Sequence, residues 1–340
     1  MRKLLAASLC LLVTVTATGC GATVESSGKA GASGRAGTSA VTLTNCGRDV
    51  TYDEVPQRVV TNDVGITELM FALGLEDRMA GFAMPDDRGD VTDLPWKASY
   101  DKVRWLSEGQ LTKENVLDAR ADFVFAGWNY GFGEDTGLTP DTLETLGIPS
   151  YLLTESCRNG RTDTSRGIMP PLDALYTDLG NLGKLFGVEK RADALISEFK
   201  RQVADVRAKA PQGADRPTVF LYDSGETQPF TSGRYAGPDQ IISEAGGVNI
   251  THDVEDSWTT VGWESVVQRD PEVIVVCDYG DVSAEQKKEF LLSHAPLRDV
   301  SAVKHRRIFT LDYADLVESP RNPSAVAALG AYLRDVAGRR

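Results

Sequence analysis

The chain has little histidine, a residue that is common in catalytic and metal sites. It contains three histidines in 340 residues, and the spacing of His252, His294 and His305 fits no zinc-hydrolase motif. It lacks a Gly-x-Ser-x-Gly turn, and no Walker or dinucleotide-binding glycine pattern follows a predicted strand. We therefore expect no catalytic site, no cofactor and no metal ion held directly by the protein.

Basic residues are fewer than acidic ones. The chain has 36 lysines and arginines against 49 aspartates and glutamates, which gives a formal charge of -13 at pH 7. An acidic surface repels phosphate groups. This excess of negative charge argues against nucleic acid and against anionic lipid headgroups as partners.

The N-terminal apolar run is too short to span a bilayer. Arg2 and Lys3 precede apolar residues 4–15, the layout of a signal peptide. Small residues then lead into Cys20, which resembles a bacterial lipobox, although Ala17 stands where leucine is usual. We expect residues 1–19 to be removed and Cys20 to carry two acyl chains. An ordinary signal peptide with an incidental Cys20 is the alternative.

Residues 20–40 consist mostly of glycine, alanine and serine. Such a segment buries too little apolar surface to fold, so it should act as a flexible tether of about 25 Å. Removal of residues 1–19 would shift the formal charge from -13 to about -15. We expect a domain anchored by its lipid to the extracytoplasmic face of the cell membrane.

The five cysteines divide by position. Cys10 leaves with the signal peptide and Cys20 takes the lipid. Cys277 lies in an apolar run and should be an inert buried thiol. Cys46 and Cys157 lie in polar segments, where an oxidising exterior would allow a disulfide. Their pairing is left open, because the sequence does not show that they meet.

The folded part alternates short β-branched runs with amphipathic stretches. This alternation predicts an α/β lobe with a parallel sheet over residues 41–187 and a second one over 216–337. Residues 188–210 form a long amphipathic pattern without glycine or proline, which predicts one bridging helix between the lobes.

Two segments, 114–126 and 264–276, share a pattern although their identity is poor. Each begins with a glutamate at a predicted helix start and ends in a fully apolar strand. Glu114 and Glu264 therefore occupy equivalent places, one in each lobe. The helix dipole alone favours an acid there. As a pair, they suit docking on a symmetric channel with one arginine per subunit.

Four features together resemble the class III substrate-binding proteins of ferric siderophore, vitamin B12 and haem importers. They are the segment 67–74, the two glutamate units, the segment 229–233 and the long bridging helix. The resemblance implies two Rossmann-like lobes, a ligand cleft between them, and docking of an ABC permease and ATPase complex by Glu114 and Glu264. We expect a monomer that binds a small-molecule metal chelate.

Aromatic residues are the first expected ligand contacts. Vitamin B12-binding members of the family have a cleft tryptophan six residues before the second docking glutamate, and Trp258 stands at that spacing before Glu264. Another follows the first-lobe strand, where this chain has Trp128. Both should face the cleft, since aromatic rings stack on planar chelates. Core packing is the alternative for each.

The same logic extends to further candidates. Tyr130, Trp105 and Tyr235 are possible aromatic contacts, and Arg321 resembles a basic position that faces the cleft in several family members. A cation there would suit carboxylate or hydroxamate oxygens. Because the bridging helix lacks a hinge, we expect a largely preformed cleft. By analogy, a ferric siderophore ranks first as ligand, a corrinoid second, and haem or another large cofactor third.

Overall fold

The computed structural model describes residues 40–84, 88–160 and 164–339, which belong to one compact unit. The predicted signal peptide, Cys20 and nearly all of the predicted linker lie outside the described residues.

The first lobe is built on a parallel sheet. Its central strands are apolar and buried on both faces, as expected for a sheet covered by helices on each side. The strands are β1 (Val41–Asn45), β2 (Arg48–Tyr52), β3 (Val59–Asn62), β4 (Met79–Ala83), β5 (Trp105–Ser107), β6 (Phe123–Trp128), β7 (Gly131–Phe132) and β8 (Ser150–Leu152). The order is β5-β4-β3-β6-β7, with β8 also paired to β6, and these pairings are parallel. Strands β1 and β2 form a separate antiparallel hairpin.

Side-chain caps start several helices of this lobe. Thr112 and Thr139 each accept a hydrogen bond from a backbone N–H of the helix that follows. Gly187, with φ of 69°, ends the last helix in the left-handed conformation that favours glycine. The helices are α1 (Val64–Ala72), α2 (Lys97–Lys102), α3 (Lys113–Asp118), α4 (Pro140–Thr145) and α5 (Pro171–Phe186).

After the helix α6 (Glu189–Arg207), a second lobe repeats the architecture on a smaller scale. Its strands are β9 (Thr218–Tyr222), β10 (Phe230–Ser232), β11 (Val248–Asn249), β12 (Trp258–Thr260), β13 (Val273–Asp278) and β14 (Ile308–Asp312), and its helices are α7 (Gly237–Glu244), α8 (Trp263–Arg269), α9 (Ala284–Ser293), α10 (Ser301–Lys304), α11 (Tyr313–Leu316) and α12 (Asn322–Gly338). The parallel sheet has the order β11-β9-β13-β14, and β10 pairs with β12 antiparallel.

Helix α6 packs against α5 of the first lobe and against α7 and α12 of the second. Glycines permit the close approach. A Cβ on Gly183 would lie 2.6 Å from Cβ of Ala192, and one on Gly330 would lie 2.6 Å from a methyl of Val206. One buried apolar cluster runs through both lobes around this layer of helices. The predicted bridge at 188–210 is therefore one member of a packed brace.

A disulfide joins Cys46, in the turn of the β1–β2 hairpin, to Cys157, with the two Cα atoms 5.3 Å apart. The pairing that the sequence left open is present. The bond closes a long loop, since the two cysteines are 111 positions apart. Cys277 is a free, buried thiol, and burial raises its pKa well above the usual range, as expected of an inert cysteine.

Candidate functional site

The carboxyl ends of the two parallel sheets face each other. Asp63 follows β3 in the first lobe, and Tyr313 follows β14 in the second. The hydroxyl of Tyr313 donates to Oδ2 of Asp63 at 2.7 Å. Asp63 also caps α1 by accepting from the N–H of Gly65, and its φ of 76° is unusual for a residue with a side chain. This is the edge where ligands bind in α/β folds.

A buried ion pair joins the lobes beside this contact. Arg321 donates through Nε to Glu68 at 2.8 Å and through Nη2 at 2.5 Å. The side chains are 4% and 0% exposed. Tyr100 donates to the same carboxylate at 2.5 Å, and Arg321 also donates to the carbonyl of Arg88. Burial alone would lower the pKa of Arg321, because it disfavours the charged guanidinium. The hydrogen bonds to Glu68 and its negative charge outweigh this effect, so the pKa of Arg321 is raised.

The structure thus gives Arg321 a different role from the expected ligand contact. Its guanidinium is occupied by Glu68 and shielded from solvent. The sequence could not reveal this, because the two residues are 253 positions apart. Arg321 holds the lobes together.

Tyr130 and Trp258, predicted from opposite lobes, come together between them. Burial raises the pKa of Tyr130 well above the usual range, and the nearby charge of Glu155 raises it further, whereas Arg166 and the indole of Trp258 lower it. Trp258 stacks on Phe230, with ring centroids 6.0 Å apart. Within the described residues, neither the hydroxyl of Tyr130 nor Nε1 of Trp258 has a hydrogen-bond partner of good geometry. The indole N–H of Trp258 interacts with the hydroxyl of Tyr130 without good hydrogen-bond geometry, so the hydroxyl hydrogen of Tyr130 is left for an acceptor on another molecule.

Arg166 is the functional candidate that the sequence reasoning missed. It is 9% exposed, and its one hydrogen bond among the described residues is a long one of 3.5 Å to the carbonyl of Trp128. Its charge lowers the pKa of Glu155 and of Tyr130, so it lies close to both. A buried guanidinium with so few partners suits an oxygen-rich or anionic group. The only signal in the sequence was a run of polar residues after Cys157.

The disulfide and a glycine position Arg166. Its neighbour Gly167 donates from its N–H to the carbonyl of Cys157 at 2.9 Å, and Arg158 pairs with Arg166 as an antiparallel bridge. Gly167, with φ of +90°, lies directly against Tyr235 of the second lobe, since a Cβ there would be 2.2 Å from that of Tyr235. Tyr235, predicted as a ligand contact, is thus part of the contact between lobes.

Trp128 lies partly buried in the first lobe. The guanidinium of Arg158 covers its ring at 3.6 Å, and Phe132 meets it edge-on. Arg158 is in turn paired with Glu134 at 2.5 Å. Trp128 borders a surface hollow of about 380 Å³ whose described lining belongs to the first lobe, including Arg48 and Glu134. The ring of Trp128 is thus covered by Arg158 of the same lobe, and its backbone carbonyl contacts Arg166.

Trp105, another predicted ligand contact, lies on β5, at the opposite edge of the first-lobe sheet from β7. It is 49% exposed on β5, the edge strand, and its ring stacks on Phe82 at 6.3 Å. Its indole N–H donates to the carbonyl of Ser107 at 2.5 Å. The structure does not bring Trp105 together with Tyr130 and Trp258, because β5 lies at the outer side of the sheet.

Glu114 and Glu264 are both exposed in the first turns of α3 and α8. A backbone N–H and the hydroxyl of Thr112 lower the pKa of Glu114. The start of α3 is tied to the end of β3 by the bond from the N–H of Leu111 to Asn62. An exposed aliphatic residue follows each glutamate by three positions, Leu117 at 47% and Val267 at 38% exposure.

No group of three or more potential metal ligands occurs in the described part of the chain. The described helices also include none that combines the length and apolar character needed to cross a bilayer.

The fold and these residues can be compared with known proteins. The model of the periplasmic binding protein family matches residues 59–314. The chain belongs to the periplasmic binding protein family. As a member, it is the substrate-binding protein of an ABC importer and acts outside the cytoplasm. Its partners are a small-molecule ligand and an ABC permease. Its relatives are binding proteins rather than enzymes.

Three similar proteins illustrate the relationship. An uncharacterized ABC transporter substrate-binding lipoprotein, YvrC, of Bacillus subtilis (strain 168) is 23% identical over 79% of this chain and 77% of its own. A vitamin B12-binding protein of Yersinia pestis (strain Pestoides F) is 26% identical over 66% and 70%. The structure of an ABC-type Fe3+-hydroxamate transport system from Saccharomonospora viridis DSM 43017 aligns with a TM-score of 0.71 at 22% identity, over 86% and 98%.

The class III two-lobed fold predicted from the sequence is confirmed for this periplasmic binding protein. The lobes are in direct contact at several points, and the preformed cleft expected from the sequence stays a prediction. Glu155 and Glu318 bond directly across the lobes, as do Asp63 and Tyr313, and Gly167 lies against Tyr235. A ligand that enters between Tyr130 and Trp258 must separate these two side chains, because they interact directly.

The Glu68–Arg321 pair yields a stability prediction. Arg321→Met should lower the free energy of unfolding by about 3–5 kcal/mol, because it leaves the carboxylate of Glu68 buried without its cation. The double variant Glu68→Leu/Arg321→Met should recover most of that loss, since an apolar pair needs no compensating charge. Urea denaturation measures all three proteins. A loss below about 1 kcal/mol for Arg321→Met would contradict the buried pair.

Proposed function

We propose that this periplasmic binding protein is a lipid-anchored monomer that binds a ferric siderophore between its lobes and delivers it to its permease. The observation that carries the proposal is the trio of Arg166, Tyr130 and Trp258. A buried cation with few partners and two donors without a hydrogen bond of good geometry lie between the lobes. Their chemistry suits a ligand whose outer surface presents oxygen acceptors and a face for stacking.

A ferric siderophore fits this trio because its iron is wrapped by hydroxamate, carboxylate or phenolate oxygens. The structural relative from Saccharomonospora viridis belongs to an Fe3+-hydroxamate transport system, which supports this class by analogy. The formal charge of -13 favours a neutral or cationic chelate over a polyanion.

A corrinoid is the second candidate, ahead of haem or another large cofactor. The observation in its favour is Trp258, which lies at the interlobe contact and precedes Glu264 by the spacing seen in vitamin B12-binding members. The vitamin B12-binding relative from Yersinia pestis is consistent with it.

Ligand binding is tested with the purified protein and four probes: ferrichrome, ferrioxamine B, cyanocobalamin and haemin. We expect tryptophan quenching and calorimetry to give a Kd near or below about 1 μM for a ferric hydroxamate. Arg166→Gln should weaken that binding at least about tenfold, a change of about 1.4 kcal/mol. The matched control is Arg158→Gln, from the same segment, whose guanidinium is paired with Glu134 inside the first lobe.

The probes separate the outcomes. Binding of cyanocobalamin or haemin alone would replace the siderophore by the second or third candidate. Equal losses in Arg166→Gln and Arg158→Gln would contradict the special role of Arg166. A flat response to all four probes would overturn the proposed ligand class.

Docking is proposed to use one carboxylate from each lobe. The double variant Glu114→Gln/Glu264→Gln should keep ligand affinity within about twofold and reduce uptake by cells at least about tenfold, because each lost pair with a permease arginine weakens docking. Glu285→Gln is the control, since Glu285 also lies in the first turn of a helix and is exposed. If the glutamates only stabilise helices, the variants will change thermal stability alike and leave uptake intact.

The lipid anchor is proposed at Cys20. Two acyl chains give stable attachment where one gives marginal binding. In cells, the full-length protein should sediment with membranes and incorporate labelled palmitate, and Cys20→Ser should be released and unlabelled. Cys46→Ser serves as a cysteine control that keeps the anchor. Membrane retention of the Cys20→Ser protein with unchanged label would refute this assignment.

A further inference from the structure

Three carboxyl groups lie together at the contact between the lobes, and we call them the acid cluster: Glu155, Asp178 and Glu318. Their exposures are 1%, 0% and 1%. Glu155 follows β8 and Asp178 lies on α5, both in the first lobe, whereas Glu318 belongs to the second lobe. Buried acids of like charge are costly to keep ionised together.

Two members of the acid cluster bind each other's backbone across the lobes. The N–H of Glu155 donates to Oε2 of Glu318 at 3.0 Å, and the N–H of Glu318 donates to Oε2 of Glu155 at 2.9 Å. The N–H of Gly237, at the start of α7, donates to Oε1 of Glu155 at 3.1 Å. These bonds exist only while the lobes are together.

The remaining oxygen of the pair has no such donor. Oε1 of Glu318 is buried and has no hydrogen-bond partner among the described residues. The carboxyl groups of Asp178 and Glu318 lie close together, because they accept hydrogen bonds from the backbone N–H groups of the adjacent residues Thr154 and Glu155. Asp178 already accepts bonds from the hydroxyl of Tyr151 at 2.7 Å and from the N–H of Thr154 at 2.9 Å. Two carboxylates are both acceptors, so a hydrogen bond between Glu318 and Asp178 requires a proton.

The surrounding charges do not neutralise the acid cluster. Arg166 is the cation that interacts with Glu155 from the neighbouring segment, and Asp63 at the start of α1 adds a further acid nearby. The other groups on the elements packed around the cluster are the hydroxyls of Tyr130 and Tyr151, Asp239 on α7, which is bonded to Asn249 and His252, and Arg321 before α12, which is paired with Glu68. The described residues contain no group of three or more side chains placed to hold a metal ion, so a proton is the simplest counter-charge.

We propose that Glu318 and Asp178 share a bound proton at the contact between the lobes, so that the closed arrangement is a proton-binding site that weakens as pH rises. This goes beyond the proposed function and does not depend on the identity of the ligand. Lobe closure is favoured in acidic surroundings and relaxes in alkaline ones.

The direction of the pH dependence follows from burial. Burial raises the pKa of Glu155 to about 7 and that of Asp178 to about 6, and burial with the charges of Asp178 and Glu155 raises the pKa of Glu318 well above its usual range. An acid whose pKa is higher in the folded state stabilises the fold at low pH. This contribution is complete at pH values below the ordinary pKa values of 3.8 for aspartate and 4.5 for glutamate. It decreases as pH rises above them and is lost once pH exceeds the raised pKa values of the folded protein.

The key variant is Glu318→Gln, whose amide retains an oxygen for the N–H of Glu155 and donates permanently toward Asp178 as the protonated acid would. We expect the Tm of the wild-type protein to fall by about 5 °C between about pH 5 and about pH 8. In Glu318→Gln that fall should shrink to less than half, and its Tm at about pH 8 should exceed that of the wild type. An unchanged slope in Glu318→Gln would overturn the proposal.

Infrared spectroscopy provides a test that does not depend on the variant folding. The wild-type protein at neutral pH should show the carbonyl band of a protonated carboxyl group, and the band should disappear at alkaline pH. Asp315→Asn is the matched control, because Asp315 is another buried acid, with a pKa raised by burial to about 6, outside the acid cluster. The band should keep its full intensity in that control and lose the contribution of the Glu318–Asp178 pair in Glu318→Gln, where only the carbonyl band of Glu155 is left. Its absence from the wild type at neutral pH would refute a shared proton.

Discussion

Buried carboxylates make the polar contacts between the lobes. In place of water, they accept hydrogen bonds from backbone N–H groups, a hydroxyl or a guanidinium. Glu68 is held by Arg321 and Tyr100, Asp63 by Tyr313, and Glu155 by the backbone of the second lobe. Each arrangement is favourable only when its geometry is complete, because a buried charge without partners is expensive. The interface therefore behaves as a set of contacts that form together and break together.

Such an interface restricts how the protein admits a ligand. Helix α6 contains neither glycine nor proline and is packed between α5 and α12, so it resists bending. Movement of the lobes must be taken up at the ends of α6, near Gly187 and in the segment before β9. A short displacement is enough to break polar contacts of about 3 Å, because hydrogen bonds weaken steeply with distance. A small displacement of the lobes would therefore be enough to change access to the contact between them.

The sequence was sufficient for the architecture and insufficient for the partners across the lobes. Alternating strands and amphipathic helices are local patterns, so the parallel sheets and α6 could be predicted, as could the first-turn places of Glu114 and Glu264. Arg321 was expected to face a ligand because its partner Glu68 is remote in sequence and pairs only in the fold. Arg166 was missed because it lies in an irregular segment without periodicity. Its burial depends on the disulfide at Cys157 and on close contact of Gly167 with Tyr235.

The Cys46–Cys157 disulfide affects the stability of the chain before and after it leaves the cytoplasm. Members of this family act outside the cytoplasm, whereas disulfides are rare inside it because thiols there are kept reduced. A bond that closes a loop of this length contributes several kcal/mol, on the order of 4–5 by loop entropy alone. The newly made chain lacks that contribution, so its native state is less stable in the cytoplasm than outside it. Formation of the disulfide outside the cytoplasm then stabilises the first lobe in the compartment where the protein acts.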